Sequence, residues 1–274
     1  MRKLALGLIL AGLAACSPAK PAPAAPAAAS AEVIAAESAK LTAYLNAEYE
    51  KQLALDPEQA TQMGRKDNYD KLSDRSEAAD DKLLAWRRQS VADMKGRFDT
   101  AKLSEEAQTS FDIWAFELDQ DELRAKYRRH SYIFANGGPH VGLPNFLMTY
   151  HKVDAKADMD AYVARLGALG VAIDQSTERA KVAAGDGIRP PRFAYDRTIR
   201  EAQSIITGQP FAAAGPASPL WEDASKKLKS LVDAKKVTAE EGKALEAAAR
   251  KALVEQVKPS YERLIAWLKS DAAN

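Results

Sequence analysis

Residues 154–184, DAKADMDAYVARLGALGVAIDQSTERAKVAA, decide how this chain folds. Tyr162, Leu166, Leu169 and Ile173 recur at three- and four-residue intervals, so they share one face of a helix. The run ends at Gly185-Asp186-Gly187-Ile188-Arg189-Pro190-Pro191, where glycine and proline oppose further helix. Nowhere does the chain alternate apolar and polar residues for long, and Val, Ile and Thr do not cluster as strand formers do. Alanine, Leu, Glu, Lys and Gln dominate instead, all of them good helix formers.

Toward the amino terminus the same period returns. Ile34, Leu41, Leu45 and Leu53 mark a helix over about 31–55. Asp56-Pro57 has the form of an N-cap followed by proline at the first helical position, and the short helix behind it stops at Gly64. Ser76 opens a second long helix with Leu83, Leu84, Trp86 and Met94 as core candidates, broken at Asp99-Thr100. Ser104 with Glu105 and Glu106 opens a third, carrying Phe111, Trp114 and Leu118. Its acidic middle (Asp112, Glu117, Asp119, Asp121, Glu122) and basic end (Arg124, Lys126, Arg128, Arg129) read as a solvated face with local ion pairs. Asn136-Gly137-Gly138-Pro139-His140-Val141-Gly142-Leu143-Pro144 is the least helical segment of the body.

Toward the carboxy terminus a short helix is expected over about 195–207, closed by Gly208. Ser218-Pro219 is a further start signal, and Thr238 with Glu241 forms a capping box. The last pattern runs over about 239–269, with a kink expected at Pro259. These readings predict an all-α protein: about seven or eight helices in an irregular antiparallel bundle, forming one helical domain over residues 31–274.

Composition narrows the function classes. The 274 residues are 46% hydrophobic and 28% charged, a globular composition. Lys plus Arg number 39 and Asp plus Glu 38, so no excess of positive charge exists to neutralise phosphates, and nucleic acid is excluded as a main partner. A single cysteine rules out an intramolecular disulfide and a Cys-rich zinc site.

That cysteine has a better use. Arg2 and Lys3 precede an apolar run over 4–15, too short to span a bilayer, which takes roughly twenty residues. The pattern is that of an export signal over residues 1–15, and Leu13-Ala14-Ala15-Cys16 resembles the bacterial lipobox, where the chain is cut before the cysteine and the sulfur is lipidated. Membrane lipid through acylated Cys16 is therefore the first expected partner. Residues 16–30 form an Ala/Pro-rich tether, and Ser17 in place of aspartate favours the outer membrane by resemblance to enterobacterial sorting. The expected location is the cell envelope, facing the periplasm.

Chemistry is sparse. The chain has no phosphate-binding G-x-x-x-x-G-K-[ST] loop, no strand-linked G-x-G-x-x-G and no G-x-S-x-G elbow. None of His130, His140 and His151 has a histidine four residues on, so the one-turn pair that grips zinc in many hydrolases is missing, and no cofactor or metal is expected. His140 and His151 flank the Gly/Pro-rich segment; they read either as hydrogen-bonded structural histidines or, with Asp154, as a facial metal site. Gly137, Gly138, His140 and His151 are the candidate groove loop. Trp86, Trp114, Trp221 and Trp267 read as packing, and Glu105/Glu106 and Asp119/Asp121 as solvated carboxylates.

Four segments read together carry a family resemblance. They are residues 56–64 (DPEQATQMG), residues 137–147 (GGPHVGLPNFL) continuing to His151-Lys152-Val153, residues 158–166 (DMDAYVARL), and residues 187–193 (GIRPPRF). In this order they resemble the amino-terminal half of the bacterial lipoprotein family called domain of unknown function 885, from about Ala36 onward. That family is similar to mostly helical zinc metallopeptidases, with a histidine–glutamate motif in a carboxy-terminal half that this chain does not reach. The resemblance implies a lipid-anchored substrate-groove module, inactive alone. Two alternatives stand beside it: an enzyme half completed by a separately encoded zinc-binding partner, and a non-enzymatic envelope peptide-binding module. The apolar stripe Leu264, Ile265, Trp267 and Leu268 must either pack inward or stay exposed for a partner.

Overall fold

The computed structural model describes residues 29–135 and 137–274. Cys16, the export signal and nearly all of the tether lie outside the described residues. The described chain is all-α: α1 (Ala31–Leu55), α2 (Pro57–Gln62), α3 (Glu77–Arg97), α4 (Glu105–Lys126), α5 (Pro139–Thr149), α6 (Lys156–Gly185), α7 (Arg192–Ile205), α8 (Pro219–Asp233), α9 (Ala239–Ala252) and α10 (Lys258–Asp271). A π-helical turn, Leu253–Val257, joins α9 to α10, so these two form one rod and the described residues hold nine. The only extended pairing among them is an isolated bridge between Gln209 and Ala217.

The caps sit where the sequence places them. The side chains of Asp56, Ser76 and Ser104 accept from the backbone N–H of Gln59, Ala79 and Ala107. Thr238 and Glu241 bond reciprocally at the start of α9. The expected kink at Pro259 takes the form of the π turn just before it, pressed so closely onto α6 that a Cβ at Gly170 would stand 2.6 Å from the Gln256 carbonyl oxygen. Helix α7 begins at Arg192, three residues earlier than expected, directly behind Pro191, whose φ of −56° already suits the approach.

The Gly/Pro-rich segment is a correction. Residues 139–149 are helical despite Pro139 and Pro144. Pro139 occupies the first turn, where its missing N–H has no helical partner to lose. Pro144 lies inside the helix and leaves the His140 carbonyl without its usual donor; the Tyr261 hydroxyl of α10 donates to that oxygen at 2.6 Å instead. A tertiary hydrogen bond thus compensates the break that the sequence predicts.

Two apolar clusters hold the helices. The larger gathers α5 to α10 around Tyr162, Leu166, Leu169 and Ile173 of α6, all fully buried. The terminal stripe joins it: Leu264, Ile265 and Leu268 are buried and Trp267 packs against the same core. The smaller cluster joins α1, α3 and α4 through Leu41, Met94, Leu103, Ala107 and Phe111. Among the described residues, no helix is long and apolar enough to cross a membrane.

Candidate functional site

His151 and Arg165 share a buried node. Arg165 is fully buried on α6, yet none of its hydrogen bonds goes to a carboxylate. Its Nε donates to the Lys71 carbonyl at 2.8 Å, Nη2 to Thr61 Oγ1 at 2.8 Å and to the Pro57 carbonyl at 3.2 Å, and Nη1 to His151 Nδ1 at 3.0 Å. The guanidinium also lies over the rings of Tyr69 and Phe146. Because Arg165 can only donate, His151 Nδ1 must accept; Nε2–H then donates to the Asp158 carbonyl at 2.9 Å. His151 is therefore neutral. Burial, with the nearby Arg165 and Lys227 charges, lowers its pKa to about 4. Tyr69 stacks on its ring at 4.0 Å. Segments 56–64, 151–153 and 158–166, scattered in sequence, meet here.

His140 belongs to a different network. It is fully buried, and its Nε2 lies 2.9 Å from Glu201 Oε2. Burial lowers its pKa, partly opposed by that carboxylate. Among the described residues its Nδ1 has no partner and is enclosed. A Cβ on Gly138 would meet the Ile133 carbonyl oxygen at 2.2 Å and His140 Nδ1 at 3.2 Å, so that position has no room for a side chain. Gly137 has φ +70° and supplies the left-handed conformation of the turn. The four residues expected to line a groove thus make a turn and two enclosed structural imidazoles.

These histidines do not fit a zinc centre. Both nitrogens of His151 and Nε2 of His140 are committed, and His130 sits apart on a 3-10 turn, Arg128–His130, after α4. No group of three or more His, Cys, Asp or Glu among the described residues is arranged to hold a metal ion.

The concave surface lies elsewhere. Two cavities of about 680 and 690 Å³ meet at Asp80, Leu83 and Arg179. One runs between α3 and the end of α4, lined by Leu84, Leu123, Tyr127 and Arg128. The other runs between α3 and α2, lined by Leu55, Glu58, Ser73 and Arg75. Arg179 of α6 ties the junction, donating to Asp80 Oδ2 at 2.8 Å and to the Arg75 carbonyl at 3.2 Å. Arg75 in turn donates to Glu58 Oε1 at 2.9 Å, the Ser73 backbone N–H donates to Glu58 Oε2 at 3.2 Å, and the single Ser73 hydroxyl proton is shared between the Glu58 and Asp56 carboxylates. Burial raises the Asp80 pKa, outweighing the neighbouring Arg179 and Arg128. Arg75 Nε is enclosed without a partner among the described residues. Apolar walls with paired charges at the waist suit a ligand that carries both apolar and polar groups. The sequence marks Leu83 and Leu84 as core candidates, and their lining role has no local signal because it arises from the meeting of α2, α3, α4 and α6.

The bacterial protein family of unknown function DUF885 matches residues 57–274. The chain belongs to that family. The match takes in both networks and most of the cleft, leaving out α1 among the helices. No curated protein matches the chain.

Proposed function

We propose that this DUF885 member is a lipid-anchored envelope protein whose helical body holds an extended peptide segment in the cleft centred on Asp80, Leu83 and Arg179. The observation that carries the reading is that cleft: two neighbouring cavities that share Asp80, Leu83 and Arg179, with leucines on their walls and a charged waist. Peptides offer the matching chemistry, since side chains fill apolar troughs while the backbone bonds to polar groups. Support for the anchor is the lipobox-like sequence ending at Cys16. The expected resemblance to helical zinc metallopeptidases motivates the groove role, and the hydrogen-bonded nitrogens of His151 and Nε2 of His140 favour binding over metal-dependent turnover by this chain alone.

Binding of a fluorescent mixed-sequence peptide library to the full chain in detergent, followed by anisotropy, tests the reading. Saturable binding that weakens about tenfold or more in Leu83→Asp, with helicity retained, is expected. Equal binding by both proteins, or chelator-sensitive cleavage of the peptides, overturns it. Loss of acyl labelling in Cys16→Ser tests the anchor separately.

A further inference from the structure

Helix α4 is apolar on two opposite sides. Ala107, Phe111, Trp114 and Ala115 turn toward α1 and α3. Ile113, Phe116, Leu123 and Tyr127 lie on the far side, and are 56%, 57%, 51% and 48% exposed. With Gln120 between them, they repeat at intervals of three, four, three and four residues, the spacing of a coiled-coil seam. At roughly 100° per residue, this seam lies nearly opposite the buried one. Ile113 and Phe116 stand clear of the rest of the described chain, while Leu123 and Tyr127 also border the cavity between α3 and the end of α4, so association through the stripe and occupation of that cavity draw on the same two side chains.

We propose that this outer stripe is the surface through which two copies of the chain associate, with their α4 helices antiparallel. The charges beside the stripe choose both the occupant and its direction. Along one flank run Asp112, Asp119 and then Lys126; along the other run Glu117 and then Arg124. Antiparallel pairing sets each flank against its own reverse, so Asp119 meets the partner's Lys126 and Glu117 meets the partner's Arg124. A parallel pair sets Asp112 against the partner's Glu117 and keeps only Asp119 against the partner's Arg124, so antiparallel pairing satisfies more of the flanking charges. The ion pairs support the same division. Asp121 and Glu122 are already bonded to Arg87 and Arg88 of α3, whereas Asp112, Glu117, Asp119 and Lys126 have no salt-bridge partner among the described residues. Arg124 is bonded only to Asp121 of its own helix, at an exposed position where such a pair contributes little and can be exchanged. One helix therefore carries an apolar seam and the complement of its own charge pattern, which is what a second copy requires.

Sedimentation equilibrium of the full chain in matched-density detergent tests the proposal. A monomer–dimer equilibrium is expected, and Phe116→Asp should weaken it about tenfold or more. Phe193→Asp removes an exposed phenylalanine on α7 and should leave the equilibrium unchanged. Lys126→Glu should weaken the dimer, and Lys126→Glu with Asp119→Lys should restore it, because both partners of the crossed pair are reversed together. Circular dichroism checks that helical content is kept. A monomer at every concentration, a dimer indifferent to Phe116→Asp, or failure of the charge reversal to restore association overturns the proposal.

Discussion

The body built from α5 to α10 and the unit built from α1, α3 and α4 hold their helices by different means. In the body, six helices and the π turn contribute buried residues to one core, with α6 at its centre. The amino-terminal unit has five buried apolar residues at its centre. The contacts between the two are largely polar and directional. Arg165 reaches Lys71, Pro57 and Thr61; Gln175 and Arg179 reach the segment 74–80; Arg129 bonds to both Glu77 and Asp186. Each region therefore closes its own core, and hydrogen bonds set how one meets the other. The cleft lies along that polar junction, where helices meet without filling the space between them with side chains.

Core truncation should separate the two regions most strongly. Leu169→Ala removes a fully buried side chain from the larger core and should cost about 3 kcal/mol of global stability. Leu41→Ala, equally buried in the smaller core, should act locally: amide exchange should accelerate in α1, α3 and α4 while α6 and α10 keep their protection. Equal acceleration in α6 would show that the two cores unfold as one.

Acid should weaken the junction next. His151 is neutral when folded, with its pKa lowered to about 4 from an ordinary 6.5. Above pH 6.5 its contribution is fully present; as the pH falls toward 4 the unfolded chain takes up the proton first, and up to about 3 kcal/mol is lost. Urea midpoints at pH 7 and pH 4.5 should differ accordingly, and His151→Phe should reduce that difference. A wild-type midpoint independent of pH over this window would remove His151 from the junction.

The smallest effects should come from the caps. Ser76→Ala and Thr238→Ala each remove a side-chain acceptor at a helix start and should cost about 1 kcal/mol. The Thr238 loss should appear in the global melt. The Ser76 loss should appear chiefly as faster exchange at the start of α3, beside the cleft.

Much of the architecture was written in local chemistry. The three- and four-residue spacing of α6, the serine, aspartate and threonine caps and the stripe over 264–268 all act through neighbours a few residues apart, so their meaning survives in one dimension. The family resemblance was equally legible, because its four segments lie in order along the chain. What the amino acids could not announce locally were the outcomes that depend on distant partners. Pro144 sits inside a helix because Tyr261, more than a hundred residues away, bonds to the carbonyl it strands. His151 is neutral because Arg165 occupies its Nδ1. Leu83 lines a cleft because α2, α4 and α6 arrive around it. Helical periodicity is a short-range property of the backbone, whereas proton affinity, tolerance of a proline and the shape of a cavity are set by whichever groups folding brings within reach.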